Sequence, residues 1–549
     1  MCAALRLGPV GDIWHKPALS AVVALAVPLL ALLWAGRLDL VPYAAAGSMC
    51  ALYGHGLPYA ARARALAWVV LGMTAGTAVA LAASALTGSV AVRVAVAALL
   101  AGLHKAVCDA TRIGPPGNVV LTFVAAGAVF VPQELGDVPA HVGLGLLGGL
   151  LAWTVGMAPG LLRPDGPERV AVARALESTA HLLRTAPGPC ALREGREGRE
   201  GREAAADHRA RHAAAAAVNA AWQTLLRSGV PARRRDALAR LLVRAESAAA
   251  GMAGIAGMAG QTGPGASGGV RRVVAGELGG WARDLRKGRP LPSPREVVPA
   301  AGERAELAGV AGESAEGSGV ARVVAEVARR WRVVGTVFAG AAVAGWGSMA
   351  LGVGRPYWAV VTAAAVFAAN TTLSWSRAIQ RVVGNLLGVG LFTLVAPVTR
   401  LGAAALVVAV LALQFATEAA ITRNYWLGSV FVTPMAILMG EFAGTRPVAE
   451  LVADRWLDTC LGAAAGLLAC VLVPDRRAAR RVRAGLVRLE RMLAGTPEPG
   501  ERDRLRAALV EVREAADVAA GEWWPAALPH ERIAAAERAG HRRLATLYA

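Results

Sequence analysis

The sequence lacks the features by which most enzymes and disulfide-bonded proteins are recognised. Its six cysteines among 549 residues show no paired spacing, which argues against a disulfide framework and against a zinc site. No G-x-x-x-x-G-K-[ST] loop is present, so nothing indicates a built-in ATPase. No Ser/His/Asp, Cys/His or metal-spaced set of residues occurs either. We therefore expect no enzymatic activity, no cofactor and no bound metal.

Apolar residues are abundant instead. They make up 55% of the chain, and the mean hydropathy is +0.45. They are concentrated in two blocks, 18–162 and 333–474, each divided into segments of about 16–22 residues, the length that crosses ~30 Å of hydrocarbon as a helix. The composition therefore predicts an all-α, multi-pass membrane protein.

Apolar length and helix breakers together predict twelve spans and four domains. The spans are 18–36, 41–58, 66–87, 89–104, 117–132 and 141–162, then 333–352, 356–372, 379–397, 401–417, 426–440 and 455–474. The domains are a first transmembrane repeat (1–162), a helical cytosolic domain (163–332), a second transmembrane repeat (333–474) and a helical cytosolic tail (475–549). Within the cytosolic domain, the low-complexity segments 193–203 and 250–269 are expected to be flexible.

The charge distribution predicts the orientation in the membrane. Basic residues cluster before the first span and in every second loop, whereas an alternate loop carries Glu134 and Asp137. Cytoplasmic loops carry the excess of Lys and Arg, so both termini are expected in the cytoplasm. The same rule explains the net charge of +19 without a nucleic-acid partner. A composition rich in Ala, Gly, Arg and Val is typical of a high-GC bacterium, so we expect the lipid partner to be the bacterial plasma (inner) membrane.

The two blocks resemble each other in sequence. The pair Pro42-Tyr43 corresponds to Pro356-Tyr357, "GMTAG" (72–76) to "GNLLG" (384–388), and "GLLGGLLA" (145–152) to "GAAAGLLA" (462–469). The matches occur in the same order in both blocks. This pattern indicates an internal duplication with parallel repeats, an arrangement that transporters use.

The stretch "SWSRAIQRVVGNLLG" (374–388) places a basic and polar stripe at the edge of an apolar helix. At 100° per residue, Arg377, Arg381, Gly384, Asn385 and Gly388 fall within an arc of about 100°. In one interpretation the arginines anchor the helix at the lipid phosphates. In the other they form an inner entrance for a carboxylate, because a guanidinium offers a planar fork to an anion. The two interpretations are compatible.

Small residues four positions apart allow helices to approach closely. This spacing predicts helix packing at Gly72 and Gly76, at Gly384 and Gly388, and at Gly462 and Gly466.

Four further residues are candidates for handling substrate or protons. Asn370 lies near the inner end of its span, where it is a candidate for binding substrate. Glu418 is an acidic residue close to the membrane interface and is the first candidate for a proton carrier, although an ion pair with Arg423 is an equally simple role. Tyr357 and Trp358 stack on an aromatic ligand in one interpretation and belong to an interfacial aromatic belt in the other.

The second block resembles a known family. The segments "RPYWAVVTAAAVFAANTTLSWSRAIQRVVGNLLGVGLFTLV" (355–395) and "RNYWLGSVFVTPMAIL" (423–438) are similar to the fusaric acid resistance-like (FUSC) family, which includes aromatic acid exporters and plant aluminium-activated malate transporters. The layout of six spans, a cytosolic domain, six spans and a cytosolic tail also fits. Asn385 is a departure, since Thr commonly follows the glycine in the family. The first block lacks the Arg-x-x-x-Arg-x-x-Gly form.

The resemblance implies the efflux of small organic anions, often aromatic carboxylates, driven by the proton motive force. It leaves a passive anion channel as an alternative within transport. A membrane scaffold that acts through its cytosolic helices is the alternative from another class. A homo-oligomer is compatible with the resemblance.

Overall fold

The computed structural model describes residues 2–8, 13–185, 197–258, 264–291, 320–368, 370–442, 447–472, 477–496, 500–522 and 528–546. These residues form α-helices and short 3-10 turns, and they contain no β-strand. The prediction of an all-helical, multi-pass membrane protein is confirmed.

The first half of the described chain contains twelve helices. They are α1 (Cys2–Leu5), α2 (His15–Trp34), α3 (Val41–Ser48), α4 (Tyr59–Leu86), α5 (Val90–Thr111), α6 (Asn118–Val129), α7 (Val138–Met157), α8 (Pro159–Leu162), α9 (Gly166–Thr185), α10 (Glu197–Leu226), α11 (Ala232–Met258) and α12 (Pro264–Arg286).

The described residues of the second half add ten helices. They are α13 (Val320–Arg329), α14 (Trp331–Ala350), α15 (Tyr357–Val366), α16 (Thr371–Thr399), α17 (Ala403–Ile421), α18 (Tyr425–Glu441), α19 (Val448–Leu472), α20 (Arg477–Ala494), α21 (Glu501–Ala520) and α22 (His530–Thr546).

Fewer helices than predicted are long enough to span a membrane. Eight described helices have the required length and hydropathy, namely α2, α4, α5, α7 with α8, α14, α16, α17 and α19. The segments predicted as spans at 41–58, 117–132, 356–372 and 426–440 contain shorter helices, of which α15 has only ten residues and a length of about 15 Å. The number of spans was overestimated because the hydropathy of an apolar run does not show where its helix ends. In the first of these runs the helix gives way to a 3-10 turn at Met49–Leu52, and in the third the backbone is extended at Phe367, directly after α15.

Several long helices, α19 among them, start earlier than predicted, and two others are α16 and α4. α16 begins at Thr371 rather than at 379, so Arg377 and Arg381 lie within the helix and not at its mouth. α4 begins at Tyr59 rather than at 66. Both helices therefore extend past the apolar run that made them recognisable in the sequence.

Helices from the two membrane blocks pack against each other. α14 packs against α5, and α17 packs against α2. One apolar core contains Val94 and Ala97 of α5 together with Ala341 of α14, and another contains Leu25 of α2 together with Val410 of α17. The membrane part is therefore one body built from both blocks.

The remaining helices form two further cores. α9, α10, α11 and α12 surround a core that includes Leu176, Trp222 and Leu241. α20, α21 and α22 surround another, in which Leu505 and Leu509 are buried. The two helical groups contact each other through a buried ion pair in which Arg506 Nη2 lies 2.8 Å from Glu246 Oε1.

The segments that we expect to be flexible are helical over much of their length. α10 begins at Glu197, α11 continues to Met258 and α12 begins at Pro264, so 197–203, 250–258 and 264–269 are helical, while their flexibility stays a prediction. Residues 193–196 and 259–263 lie outside the described residues. The glycines here alternate with alanine and arginine, which are good helix formers.

Candidate functional site

The sequence stripe on α16 lies where α16, α18 and α19 meet. α16 packs closely against α18 because Gly384 and Gly388 face it. A Cβ on Gly384 would lie 2.5 Å from the Ser429 Cβ, and a Cβ on Gly388 would lie 2.7 Å from the Thr433 Cβ. The polar side chains of α16 are thereby brought into direct contact with those of α18.

Arg377 and Arg381 share one aromatic partner on α18. The guanidinium of half-buried Arg377 lies 4.1 Å from the centroid of the Tyr425 ring. Buried Arg381, one turn further along, donates from Nη1 to the Tyr425 hydroxyl at 2.7 Å. Tyr425 therefore positions both guanidinium groups, one by cation–π attraction and the other by a hydrogen bond.

One more turn along α16, Asn385 joins three helices. Its Nδ2 donates to Thr459 Oγ1 of α19 at 2.8 Å, and its Oδ1 accepts from Thr433 Oγ1 of α18 at 2.7 Å. All three side chains are buried. The amide has both a donor and an acceptor, so it bridges the two hydroxyl groups and links α16 to α18 and α19.

Two charged residues of α19 complete the site, and neither was predicted from the sequence to belong to it. Arg455 is 2% exposed, and its guanidinium lies 3.7 Å from the centroid of the Trp358 ring. Asp458 is fully buried, and its Oδ1 accepts a hydrogen bond of 2.5 Å from Ser348 Oγ of α14. A signal was present, because Asp458 is an acidic residue inside a predicted apolar span, which by default marks a functional site.

The buried arginines have spare donors. Arg381 Nε, Arg455 Nε and Arg455 Nη1 are buried and have no hydrogen-bond partner within the described part of the chain. Arg381 is also among the charges that act on Arg455, so the two guanidinium groups are electrostatic neighbours. Buried donors without partners are costly, and each one calls for an explanation such as an absent ligand.

A small cleft opens beside these groups. Asn385, Arg455, Thr459 and Cys460 are among its lining residues. Its volume of about 10 Å³ is hardly enough for one water molecule. The site is therefore closed in this conformation, and an anion would need the helices to separate before it could pass.

Arg62 of the first block provides an informative contrast. It is also buried, but its guanidinium donates to the carbonyl oxygens of Gly54, His55, Leu57 and Gly156 at 2.7–3.2 Å. These bonds occupy all three of its nitrogens. The buried arginine of the first block therefore donates to the backbone of the loop before α4. The buried arginines of the second block have N–H groups without a hydrogen-bond partner among the described residues.

The structure places the predicted aromatic residues beside the site but not in its cleft. Trp358 is buried under Arg455, and its ring centroid is 5.4 Å from that of Phe123 in the first block. The ring centroid of Tyr357 is 5.7 Å from that of Phe130. Both rings are thus packed against protein rather than placed at a lipid interface.

Asn370 contacts its own helix through a hydrogen bond and also contacts the end of α21. It is the N-cap of α16, where its Oδ1 accepts from the Leu373 backbone N–H at 2.8 Å. It also lies against Gly521, at the end of α21. The neighbouring Thr372 donates from its backbone N–H and its hydroxyl to the Gly521 carbonyl, at 3.0 and 2.6 Å. The end of the tail therefore closes the start of α16.

Glu418 lies on α17, and its hydrogen-bond partner lies on the same helix. Gln414 Nε2 donates to Glu418 Oε1 at 3.3 Å. Among the described residues no ion pair joins Glu418 to Arg423, so the ion pair considered for Glu418 is not present. No hydrogen bond or ion pair links Glu418 to the arginines of α16 within the same residues.

The remaining predicted glycines differ in their surroundings. Gly462 and Gly466 of α19 face α15, where an added Cβ would lie 2.5 Å and 2.9 Å from the carbonyl oxygens of Ala359 and Ala363. Gly76 faces His104 of α5. Gly72 is exposed, and a Cβ there would meet nothing within 4 Å, so this glycine does not lie at a close helix contact.

The N-terminal segment lies across the ends of α16 and α18. The Ala4 carbonyl accepts from Gln380 Nε2 at 2.7 Å, and the Leu5 carbonyl accepts from Trp426 Nε1 at 3.0 Å. Asn424 Nδ2 donates to the Arg6 carbonyl at 2.8 Å. We call residues 4–8 the N-terminal strap. Gln380, one of its partners, lies three residues after Arg377 on α16.

Comparison with known proteins agrees with the membrane architecture. The chain is 31% identical over 201 residues to the uncharacterized membrane protein YvaC of Bacillus subtilis (strain 168), and the match covers 33% of this chain and 31% of that protein. The chain therefore matches about a third of the length of this relative. No solved structure matches the chain significantly.

The family comparison covers the helices that form the site. Residues 338–469 match the family described as fusaric acid resistance protein-like. This range contains Arg377, Arg381, Asn385, Arg455 and Asp458. The match is consistent with a membrane transporter in general. The resemblance seen in the sequence is thus confirmed, and the second membrane block matches the fusaric acid resistance protein-like family over residues 338–469.

Proposed function

We propose that the chain exports small organic anions, aromatic carboxylates among them, from the cytoplasm across the bacterial inner membrane. The path runs through the second block, from Arg377 past Arg381 and Asn385 to Arg455. The observation that carries the proposal is the set of buried guanidinium N–H groups without partners. Such groups suit a carboxylate, since charge-assisted hydrogen bonds are the strongest ones available to it.

The balance of charge along this path favours an anion. Arg381 and Arg455 are both nearly fully buried, and Asp458 is a buried acid that acts on Arg455. Asp458 is engaged by Ser348. Burying two cations with one anion leaves a positive site, which a negatively charged substrate would compensate.

The test is transport by the purified chain in liposomes. The variants Arg381→Gln and Arg455→Gln are compared with Arg64→Gln, an exposed arginine of α4 outside the path. Loss of one charge-assisted hydrogen bond of about 1.5–3 kcal/mol predicts a flux of benzoate or another carboxylate lowered roughly tenfold or more in the first two variants. Unchanged flux in both would contradict the proposed path.

Proton coupling is assigned to Glu418. Its carboxylate has an amide partner and forms no ion pair within the described parts of the chain, so it can gain and lose a proton without breaking one. In liposomes with an imposed pH gradient, Glu418→Gln is expected to abolish the dependence of flux on the gradient. A flux that follows the anion gradient alone in the unaltered chain would favour a passive channel instead.

We further infer that the two membrane blocks are copies of one six-helix unit that run in parallel. In each block the second and fifth helices are shorter than the third. The third helix packs on the fifth and the sixth in both, as α4 does on α6 and α7 and α16 does on α18 and α19. The contacts between blocks are reciprocal, since the first helix of each packs on the fourth of the other.

The orientation follows from the charges. With both termini in the cytoplasm, the start of α16 and the N-terminal strap face the cytoplasm, as export requires. Labelling of single cysteines introduced in the 133–137 loop and in α22 tests the orientation. Labelling of the α22 cysteine from outside intact cells would reverse the proposed direction.

A further inference from the structure

The buried arginine of α19 is held in place by an aromatic ring. The guanidinium of Arg455 lies over the ring of Trp358, 3.7 Å from its centroid. Arg455 is 2% exposed and Trp358 is 3% exposed, so water is excluded from the contact. Tryptophan gives the strongest cation–π attraction of the aromatic side chains, and the attraction grows when the pair is desolvated. The ring therefore fixes the position of the guanidinium.

An aromatic ring holds an arginine differently from carbonyl oxygens. The four carbonyl groups around Arg62 accept hydrogen bonds from all three nitrogens of its guanidinium. The face of Trp358 attracts the positive charge as a whole and offers no oxygen lone pair to an N–H group. Nε and Nη1 of Arg455 are accordingly buried without a hydrogen-bond partner among the described residues. Trp358 thus holds the guanidinium and leaves these two N–H groups available to a carboxylate.

Close packing between α15 and α19 sets the position of the Trp358 ring relative to Arg455. Gly462 of α19 faces α15, and a Cβ there would lie 2.5 Å from the Ala359 carbonyl oxygen. Trp358 directly precedes Ala359, and Arg455 lies about two helical turns before Gly462. The backbones of the two helices therefore fix the distance over which the Arg455 side chain reaches the ring.

The ring of Trp358 also contacts the first membrane block. Its centroid lies 5.4 Å from that of Phe123 in α6, at an interplanar angle of 32°. The adjacent Tyr357 has its ring centroid 5.7 Å from that of Phe130, which directly follows α6. Both distances lie in the range of about 4.5–7 Å over which aromatic rings attract each other. Because α6 also packs on α15, a helix of the first block holds the residue that holds Arg455.

We propose, on the basis of the transport path proposed above, that Trp358 is a positioning residue for that path and that Phe123 positions Trp358. The stack of Phe123, Trp358 and Arg455 runs from the first membrane block to the second, and only Arg455 contacts the substrate. Trp358 orients the guanidinium towards the passing carboxylate without accepting its hydrogen bonds. The first block thereby takes part in substrate handling, although the arginines of the path lie in the second.

The test introduces fluorinated tryptophans in place of Trp358 in the full chain in liposomes, with benzoate as the probe. Fluorine withdraws electron density from the face of the indole ring and changes its volume little, so the cation–π attraction falls as one, two and four ring fluorines are added. The half-saturating concentration of benzoate is expected to rise with each step, to roughly tenfold or more with four fluorines. Trp358→Phe keeps a weaker ring face and is expected to fall between the unaltered chain and Trp358→Leu. The same analogues at Trp68, which is 60% exposed on α4, are the matched control and are expected to change nothing.

A double-mutant cycle tests the contribution of the first block. Phe123→Leu is expected to raise the half-saturating concentration of benzoate roughly two- to tenfold, as for the loss of one aromatic pair. In the Trp358→Leu background the same substitution is expected to add little, because the residue through which Phe123 acts is gone. Additive effects of the two substitutions would overturn the role of Phe123.

Cyclohexanecarboxylate separates the positioning of Arg455 from stacking on the substrate. This anion carries the carboxylate of benzoate on a ring without a π-system. A tryptophan that acts through Arg455 affects both anions equally, so the fluorinated series is expected to be the same for each. A series seen with benzoate alone would make Trp358 a residue that stacks on the substrate, and it would overturn the proposal.

Failure of the positioning role is distinguishable from failure of the transport path. Lower flux in Arg455→Gln together with a flat fluorinated series would overturn the positioning role and leave the path in place. Unchanged flux in both Arg381→Gln and Arg455→Gln would overturn the path and the positioning role with it. Melting temperatures of all variants establish that each one is folded.

Discussion

Gly388 and Gly390 lie two positions apart on α16 and have opposite surroundings. A Cβ at Gly388 would lie 2.7 Å from the Thr433 Cβ and 2.8 Å from the Val430 carbonyl oxygen, whereas one at Gly390 would meet nothing within 4 Å. Gly388→Ala is therefore expected to destabilise the protein by about 1–3 kcal/mol through overpacking. Gly390→Ala is expected to be neutral or to stabilise by up to about 1 kcal/mol through helix propensity.

The measurement is the melting temperature of both variants in the same detergent. Each serves as the control for the other, because the substitution, the helix and the membrane depth are nearly the same. Equal melting temperatures would contradict the close contact between α16 and α18 on which the site geometry rests.

Glu168 of α9 predicts a pH dependence of stability. Burial raises the pKa of this carboxyl above its usual range, and the hydrogen bond from Ser228 Oγ at 2.7 Å opposes the rise. The raised pKa means that folding favours the protonated form. The stability that this group contributes is therefore complete below its unfolded pKa and is lost as the pH rises through the folded pKa.

Glu168→Gln cannot ionise, so it is expected to have a higher melting temperature than the unaltered chain at pH 8. The difference is expected to shrink as the pH falls towards about 4.3, the usual pKa of Glu. Melting curves between pH 4.5 and 8 measure it, and Glu134→Gln at an exposed position serves as the control. A difference that stays constant with pH would rule out ionisation as the cause.

Single residues also define the limits of sequence reasoning here. Arg377, Arg381 and Asn385 were recognisable because they recur on one face of an apolar helix. Arg455 and Asp458 lie some seventy residues further along, and only the packing of α19 against α16 and α14 brings them to the same place. A periodicity argument operates within one helix and cannot supply that contact.

At the scale of the element, the N-terminal strap is held by three side chains of the second block. Gln380 and Trp426 each donate one hydrogen bond to a strap carbonyl. The double variant Gln380→Met/Trp426→Phe removes both donors with little change in side-chain volume. Amide exchange in residues 4–8 is expected to accelerate roughly tenfold or more, since each bond contributes about 1 kcal/mol.

Hydrogen–deuterium exchange with mass spectrometry measures this directly, and Gln223→Met on the exposed face of α10 is the control. If the strap covers the mouth of the path, the same double variant also transports faster in liposomes. Unchanged exchange in residues 4–8 would show that the two bonds do not hold the strap.

Element lengths are where the sequence was least informative. Alternating apolar runs and breakers located all twelve apolar segments of the two blocks, and the structure contains a helix in each of them. The lengths of the helices could not be predicted from these runs. α3, α6 and α15 end where the backbone turns, although the apolar run continues. Apolar residues continue beyond these helix ends because the turning backbone is itself buried in protein, as with Cys50 and Tyr53.

At the scale of the whole molecule, a buried ion pair connects the tail to the α9–α12 group. Arg506 Nη2 lies 2.8 Å from Glu246 Oε1, each side chain is 5% exposed, and Trp222 Nε1 donates to the same carboxylate oxygen at 2.8 Å. Arg506→Met leaves a buried carboxylate without its cation. It is therefore expected to destabilise the protein by about 3–5 kcal/mol.

The double variant Glu246→Gln/Arg506→Met removes both charges and is expected to recover most of that loss, because two neutral side chains need no compensation. A double-mutant cycle on melting temperature measures the coupling. Additive losses in the two single variants would mean that the ion pair does not connect the two helical groups.

α16 contacts both an early and a late part of the described chain. Ala4 accepts a hydrogen bond from Gln380, and Gly521 accepts two from Thr372. During synthesis the strap leaves the ribosome more than 370 residues before its partner Gln380, and the end of α21 follows about 150 residues after Thr372. These contacts of α16 can therefore be completed only late in synthesis, after the residues up to Gly521 have been made.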